Sequence, residues 1–389
     1  MRRVFIIVLD SFGIGEMPDA KKYRDEGSNT IGSVSSSPFF LAPNLQKLGI
    51  FNIEGVKASV EPIYEPKGAF MRLSELSSGK DTTTGHWEIA GLVSKEPFPT
   101  YKNGFPKHII DELETRWGRK IICNKPYSGT EVIKDYGDEH IKSVALIVYT
   151  SADSVLQIAA HEDYVPVEEL YRYCKIAREV MQGKDAVGRI IARPFKGENG
   201  NYYRTTNRHD FSLVPPKDTM LDAIKEKGLD VISVGKIYDI FAGKGITKAI
   251  RTKNNDEGME ETLKLQQEDF EGLCFVNLVD FDMIYGHRND VDGYAKAITQ
   301  FDNHLAVFMN NMQEDDMLII TADHGCDPLT PSTDHSREYI PALFYGDKIM
   351  PKDLGTKAGF DYIAGTVLEY FNIENIRMQK SVLGEIYNV

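Results

Sequence analysis

The stretch Met317-Leu-Ile-Ile-Thr-Ala-Asp323-His324-Gly-Cys-Asp-Pro runs from a short apolar segment straight into an acid and an imidazole. Its continuous apolar run is that of a strand buried on both faces, as central strands of parallel sheets are. A loop broken by Pro328 and Pro331 follows, and Asp334-His335-Ser-Arg-Glu-Tyr-Ile brings a second imidazole. Carboxylates and imidazoles gathered just beyond a strand end are what a divalent cation requires.

The same pattern recurs twice. Val4 to Leu9 is apolar throughout and ends on Asp10, after which Ser-Phe-Gly13-Ile-Gly15 turns the chain. Cys274-Phe-Val-Asn-Leu-Val ends in Asp280-Phe-Asp282-Met-Ile-Tyr-Gly286-His287. Taken alone, Asp10 serves equally as a cap on its turn. In open α/β sheets, however, ligands lie outside the carboxyl ends of the strands. Three strands ending in Asp10, Asp282 and Asp323, with His287, His324 and His335 close behind, imply one shared rim. Six oxygen and nitrogen ligands without thiolate suit two divalent cations, manganese as well as zinc. G-x-G-x-x-G and G-K-[ST] phosphate loops are absent from the sequence. His304 falls inside a helical pattern from Asp292 to Asn311 and is expected to be solvated or structural.

A group for metals to activate is offered by Ser77-Ser-Gly-Lys80-Asp81-Thr82-Thr-Thr-Gly85-His86-Trp87-Glu88. This hydroxyl-rich loop leads into a helical segment. Thr82 would stand near that helix's N-terminus, where backbone N–H groups favour an anion. It could carry a phosphoryl group there, or Thr and Asp could simply cap the helix. Two metals about 3.5–4 Å apart would suit phosphoryl displacement, and coordination would make the Thr82 hydroxyl a nucleophile near neutral pH.

Pro97, Pro99, Gly104 and Pro106 open a segment of different character, closed by Val214-Pro215-Pro216. Residues 1–96 and 215–389 are therefore read as a discontinuous core, and 97–214 as an inserted smaller α+β domain. Within the insert, a buried strand over Val144–Tyr149 leads to Ser151 and Asp153. Arg189, Arg193, Arg204 and Arg208 then crowd twenty residues of an otherwise acidic chain. Guanidinium forks match phosphate oxygens, so the four could converge on an anion; they could also pair with neighbouring acids. Lys236 follows the strand Val231-Ile-Ser-Val, within reach of the Asp10 rim.

Composition narrows the partners. A chain of 389 residues with 42% apolar and 26% charged residues can bury a substantial core. A formal net charge of -13 argues against a nucleic-acid surface. The four cysteines form no C-x-x-C pair, which fits a reducing, cytoplasmic setting. The apolar run after Met1-Arg-Arg stops at Asp10, too short for a signal peptide, and no segment approaches the roughly 20 apolar residues that span a bilayer. A soluble, unprocessed protein with no membrane partner is expected.

Over essentially its whole length the chain resembles the phosphopentomutase family of the alkaline phosphatase superfamily. The resemblance rests on Val-Leu-Asp10-Ser-Phe-Gly-Ile-Gly-Glu-Met-Pro-Asp-Ala, Gly-Lys-Asp81-Thr82-Thr-Thr-Gly-His-Trp-Glu, Asp282-Met-Ile-Tyr-Gly-His287-Arg, and Ala-Asp323-His324-Gly with Asp334-His335-Ser-Arg-Glu-Tyr-Ile-Pro. The Asp-His elements are shared across the superfamily, whereas the Gly-Lys-Asp-Thr loop is particular to this family. The resemblance implies an alkaline-phosphatase-like core, a mostly parallel sheet sandwiched by helices, with the insert as a cap. It implies that Thr82 carries the phosphoryl group. Asp10, Asp323 and His324 would hold one manganese ion, bridged through Thr82, and Asp282, His287 and His335 the other. Ser151, Asp153, the arginines and Lys236 would face a pentose phosphate. The implied reaction interconverts ribose (or deoxyribose) 1-phosphate and 5-phosphate through a 1,5-bisphosphate, primed by glucose 1,6-bisphosphate or ribose 1,5-bisphosphate. Cys326 stands where Asn is expected and is read as displacing no ligand. Other readings are a phosphatase of the same superfamily and a non-catalytic metal-binding homologue. A sulfatase lacks support because Thr82 has no C/S-x-P-x-R setting. A cofactor-independent phosphoglycerate mutase would use Ser as its nucleophile.

Overall fold

A computed structural model describes residues 1–151, 153–374 and 380–388. The chain divides into two compact units, one formed by Met1–Glu96 with Pro215–Val389 and the other by Pro97–Val214. Strands β1 (Arg3–Leu9) and β2 (Ala69–Ser74) open the first unit. The second holds β3 (Ile121–Pro126), β4 (Leu146–Thr150), β5 (Val155–His161), β6 (Arg189–Glu198), β7 (Asn201–Arg204) and β8 (His209–Ser212). The first unit resumes with β9 (Asp230–Val234), β10 (Lys248–Ile250), β11 (Gly272–Leu278), β12 (Asp316–Thr321), β13 (Ile340–Tyr345) and β14 (Lys352–Ala358).

In the first unit the strands form one sheet in the order β10-β9-β11-β1-β12-β13-β2-β14. Only β13 runs against its neighbours, so the sheet is mostly parallel, as expected. Every residue of β1, β11 and β12 is buried, which requires helices on both faces. The helix Val291–Asn310 packs against Asn255–Leu265 and Pro43–Leu48, and Asp361–Tyr370 packs against Thr82–Ile89 and Met220–Glu226. Apolar continuity made the central strands legible. The edge strand β14, half-exposed and Lys-rich, carries no such signal.

The register fixes where chemistry can occur. Leu9 pairs with Leu278 and Val8 with Thr321, so β11, β1 and β12 end side by side. Asp282, Asp10 and Asp323 follow those ends.

The second unit is a mixed sheet in the order β3-β4-β5-β6-β7, with β8 paired to β6. Alternation along β4 sends Leu146 and Val148 to a core shared with the helices Lys107–Trp117 and Val167–Val180. Ile147 and Tyr149 meet the helix Glu131–Ser143 on the other face. The strand expected from Val144 begins two residues later. Val144 instead takes φ 56° as the C-cap of that helix, whose last turn the sequence pattern did not reveal.

Candidate metal centre

Three turns deliver the carboxylates. After β1, Ser11 adopts φ 69°, a left-handed conformation uncommon outside glycine, and its N–H donates to Asp323 Oδ1 at 3.0 Å. After β11 a π-helical turn, Phe281–Tyr285, carries Asp282, and the 3-10 turn Gly286–Arg288 carries His287. After β12 the chain passes through Asp323 and His324, and Gly325 pairs with Ser336 to bring His335 back over the same rim.

Thr82 arrives from the other side as the first residue of the helix Thr82–Ile89. Asp81 caps that helix, accepting from Thr84 N at 3.1 Å and Thr84 Oγ1 at 2.6 Å. The capping reading of the loop holds for Asp81, and the Thr82 hydroxyl takes no part in the cap. Glu88, one face along, accepts from the Leu76 and Ser77 amides at 2.8 and 2.6 Å and so pins the loop that precedes the helix. The helix reaches the rim because residue 85 is glycine. A Cβ there would lie 2.2 Å from the Asp323 carbonyl oxygen.

The resulting cluster is compact. His324 Nε2 lies 3.3 Å from Thr82 Oγ1, 3.3 Å from Asp323 Oδ2 and 3.6 Å from Asp10 Oδ1. Asp282 Oδ2 lies 3.1 Å from His287 Nε2, and Asp282 Oδ1 3.3 Å from His335 Nε2. The two imidazoles themselves approach to 3.2 Å through their Nε2 atoms. Among the described residues three groups have ligand atoms within 4.8 Å of one another: Asp10, Asp323 and His324; Asp282, His324 and His335; and Asp282, His287 and Cys326. His324 thus stands at the junction of the two expected ion sites. Cys326, which the sequence reading left outside the ligand shell, brings its sulfur into the second.

These residues suit divalent cations on three counts. Asp10 Oδ1, Asp282 Oδ1 and Asp323 Oδ2 are buried and receive no well-aligned hydrogen bond, the costly state that a metal relieves. His287 Nδ1 lies 2.7 Å from the Thr333 carbonyl oxygen and His324 Nδ1 3.1 Å from that of Gly325. Donation of those N–H groups leaves each Nε2 as a lone pair facing the carboxylates, the usual state of a ligating histidine. Burial, followed by the charges of Asp323 and Asp282, pushes the Asp10 carboxyl well above the usual carboxylate range. Burial also holds the His324 imidazole down, at about 4, in spite of Asp323 beside it. Across the rim the pattern is reversed: against the effect of burial, His335 holds Asp282 well below the usual carboxylate range and Asp282 raises His335 to about 10, so a protonated imidazole there supplies the positive charge that a cation would replace.

The other expected residues fall in two places. Lys236 begins the turn after β9 in the first unit, and its charge acts on Asp10. Ser151 and Asp153 follow β4 in the second unit, where Ser151 Oγ accepts from Asp153 N at 3.3 Å. Arg189 pairs with Asp153 at 3.8 Å and Asp210 at 3.6 Å, and Arg208 makes a two-pronged pair with Asp210 at 2.8 Å. Arg193 donates to Gln157 at 3.0 Å and Arg204 to the Gly129 carbonyl at 3.2 Å. Burial raises the Tyr149 hydroxyl, and the charges of Arg193, Arg204 and Arg208 act on it in the opposite sense; of the two local expectations for the arginines, pairing with neighbouring acids is the one seen, at Arg189 and Arg208. His304 pairs with Asp256 at 3.6 Å, remote in role from the rim.

Sequence reasoning passed over two supports. Arg337 is almost wholly buried, ion-paired to Glu75 and donating to the Gly79 carbonyl at 2.7 Å, which ties the loop before Thr82 to the loop bearing His335. Glu338 accepts from Gly15 N, Thr30 N, Thr30 Oγ1 and Ser336 Oγ, joining the turns after β1 and β12. Both sit in the quoted run after His335. Charged residues adjoining a ligand, in a stretch with no helical period, were the available signal.

A family model described as the metalloenzyme superfamily matches residues 2–375. The chain is 61% identical over 386 residues to a phosphopentomutase of Lachnoclostridium phytofermentans, covering 99% of both chains. It is 55% identical over 387 residues to one of Caldanaerobacter subterraneus subsp. tengcongensis, covering 99% of this chain and 98% of the other. Among solved structures, a phosphoglycerate mutase of Leishmania mexicana studied at low cobalt concentration is similar in fold, with a TM-score of 0.50 at 12% identity. That match covers 100% of this chain and 98% of the other. A Pyrococcus horikoshii protein is similar to the same degree, with a TM-score of 0.50 at 15% identity over 96% of this chain and 98% of that one. No helix among the described residues is long and apolar enough to cross a membrane.

Proposed function

The chain belongs to the phosphopentomutases of the metalloenzyme superfamily, a family of isomerases, and we propose that it interconverts α-D-ribose 1-phosphate, or its 2-deoxy analogue, with the 5-phosphate through phosphorylated Thr82. The observation that carries this reading is the position of Thr82 Oγ1 at a helix N-terminus, 3.3 Å from the imidazole shared by two candidate metal groups. Asp10, Asp323 and His324 would hold one manganese ion, with Thr82 as a further ligand, and Asp282, His287 and His335 the second. When bound, the two ions would neutralise the carboxylates, ease loss of the Thr82 proton and offset charge on the transferred phosphoryl group.

Phospho-Thr82 gives its phosphoryl group to the free sugar hydroxyl. The bond from phosphorus to the sugar oxygen forms, the bond to Thr82 Oγ1 breaks, and the hydroxyl proton is passed to Thr82. The 1,5-bisphosphate then presents its other phosphate, which returns to Thr82 while the released sugar oxygen takes up the proton. A trace of glucose 1,6-bisphosphate or ribose 1,5-bisphosphate would charge Thr82 at the start. Ser151, Asp153, Arg189, Arg193, Arg204 and Arg208 of the insert, with Lys236 of the core, would bind the sugar and the phosphate not in transfer, since guanidinium forks match phosphate. The insert would act as a cap that excludes water, which would otherwise hydrolyse the phosphoenzyme. We place the enzyme in the cytoplasm, in nucleoside catabolism, where phosphorolysis releases pentose 1-phosphates.

Ribose 1-phosphate, manganese and a trace of glucose 1,6-bisphosphate are the test. Ribose 5-phosphate forming faster than inorganic phosphate supports the mutase. Inorganic phosphate appearing first would favour the phosphatase, and no turnover by metal-loaded protein would favour a non-catalytic homologue.

A further inference from the structure

Two buried polar side chains, His86 and Asn277, connect Thr82 to the carboxylates without being ligands in any expected set. His86 lies one turn beyond Thr82 on the same helix and is fully buried. Its Nδ1 is 2.9 Å from the Thr82 carbonyl oxygen and 3.0 Å from Asp323 Oδ2. Its Nε2 is 3.3 Å from Asn277 Nδ2, and the same amide nitrogen donates to Asp10 Oδ2 at 2.7 Å. Asn277 is a polar residue inside the otherwise apolar strand β11.

The hydrogen positions follow from the donors available. Asn277 must turn its NH2 toward the Asp10 carboxylate, because its carbonyl oxygen there would face another acceptor. One amide hydrogen goes to Asp10 and the second points at His86 Nε2. That nitrogen must then be the acceptor, which places the ring proton on Nδ1, between the Thr82 carbonyl and Asp323. Asp10 Oδ2 is held by Asn277 and Asp323 Oδ1 by Ser11 N, which leaves Asp10 Oδ1 and Asp323 Oδ2 toward His324 Nε2, at 3.6 and 3.3 Å, with His86 Nδ1 also 3.0 Å from Asp323 Oδ2.

We infer that His86, oriented by Asn277, is a positioning residue that fixes the nucleophile's helix and the Asp10/Asp323 ligands as one unit. This rests on the metal-assisted Thr82 reading above. Outer partners of metal ligands set ligand direction, and their loss typically weakens metal binding by about 10–100-fold.

Manganese binding to the purified full chain, followed by the electron paramagnetic resonance of the free ion, tests the assignment. His86→Leu should lower the affinity of one of the two sites by roughly 10-fold or more. It should also reduce kcat with KM for ribose 1-phosphate little changed. His86→Gln, which can still donate and accept, should recover part of both. Where His86→Leu fails to fold, Asn277→Ala removes the shared donor and should show the same loss at one site. A folded His86→Leu or Asn277→Ala protein that binds two manganese ions as tightly as the parent would overturn the inference alone. A parent chain that binds no manganese would instead overturn the metal reading beneath it.

Discussion

Thr82 Oγ1 lies 3.3 Å from His324 Nε2 although 242 positions separate the two residues in the chain. Thr82 begins a helix capped by Asp81, and His324 follows a central strand; Gly85 lets the two approach. If Thr82 is the nucleophile, Thr82→Ala should reduce isomerisation by about three orders of magnitude or more, since the covalent route is lost. The circular dichroism spectrum and unfolding midpoint should be nearly unchanged, because Asp81 still caps the helix. Thr82→Ser, which keeps the hydroxyl, should retain measurable turnover. Steady-state assays with coupled detection of ribose 5-phosphate decide this.

Chelation should abolish activity, and manganese should restore it more fully than zinc. Three buried carboxylate oxygens without a well-aligned hydrogen bond make the metal-free state costly, so manganese at about 100 times its dissociation constant should stabilise the fold by about 2.7 kcal/mol. Urea titrations with and without the ion measure this. Unfolding midpoints that do not respond to the metal would remove the cation from the site.

Arg337 links the loop before Thr82 to the loop after His335 through a buried ion pair with Glu75. Arg337→Met leaves the Glu75 carboxylate buried and unpaired, and should cost about 3–5 kcal/mol of stability. The phosphorylation rate of Thr82 should fall as well, because the loop loses its anchor. Chemical denaturation and rapid-quench labelling read the two effects separately.

The arginines of the insert should differ. Arg208 is committed to a two-pronged pair with Asp210, whereas Arg204 donates its Nε to a backbone carbonyl. Arg204→Ala should raise KM for ribose 1-phosphate by about 10-fold or more, the worth of a charge-assisted hydrogen bond of about 1.5–3 kcal/mol. Arg208→Ala should raise it by no more than about threefold, since what it removes is mainly a surface pair. Equal effects on KM would mean that the pair with Asp210 does not weaken the proposed contact of Arg208 with substrate.

Burial pushes the His140 imidazole of the insert below its ordinary value of 6.5, and its Nδ1 lies 2.6 Å from the Ala145 carbonyl oxygen. The unfolded chain therefore binds a proton that the folded insert resists. This contribution to stability is complete above the unfolded value and is lost as pH falls through the folded one. Unfolding midpoints should drop as pH falls below the ordinary imidazole value of 6.5, and less steeply in His140→Gln.

Much of this was written in the sequence for a physical reason. Strands buried on both faces leave unbroken apolar runs, so β1, β11 and β12 could be read, and each ended on an acid. The register that aligns Leu9 with Leu278 is not local, but parallel neighbours in an α/β sheet made one rim the expected outcome. What stayed hidden depends on contacts distant in sequence. Asn277 looks like a blemish in a strand until Asp10 and His86 are seen beside it. Arg337 looks like a surface charge until Glu75 is placed against it. The reach of Cys326 toward Asp282 and His287 follows from the fold of the proline-broken loop, which no periodicity describes.

The central claim is that Thr82 itself carries the phosphoryl group. Manganese-loaded protein should be incubated with glucose 1,6-bisphosphate, quenched, digested and mapped by mass spectrometry, then chased with ribose 1-phosphate. With 18O-labelled glucose 1,6-bisphosphate the expected result is one labelled phosphoryl group on Thr82, whose label passes into ribose 5-phosphate in the chase while Thr82 stays phosphorylated by the group taken from ribose 1-phosphate. Isomerisation that proceeds while Thr82 stays unmodified, or a phosphoryl group on any other residue, would contradict it.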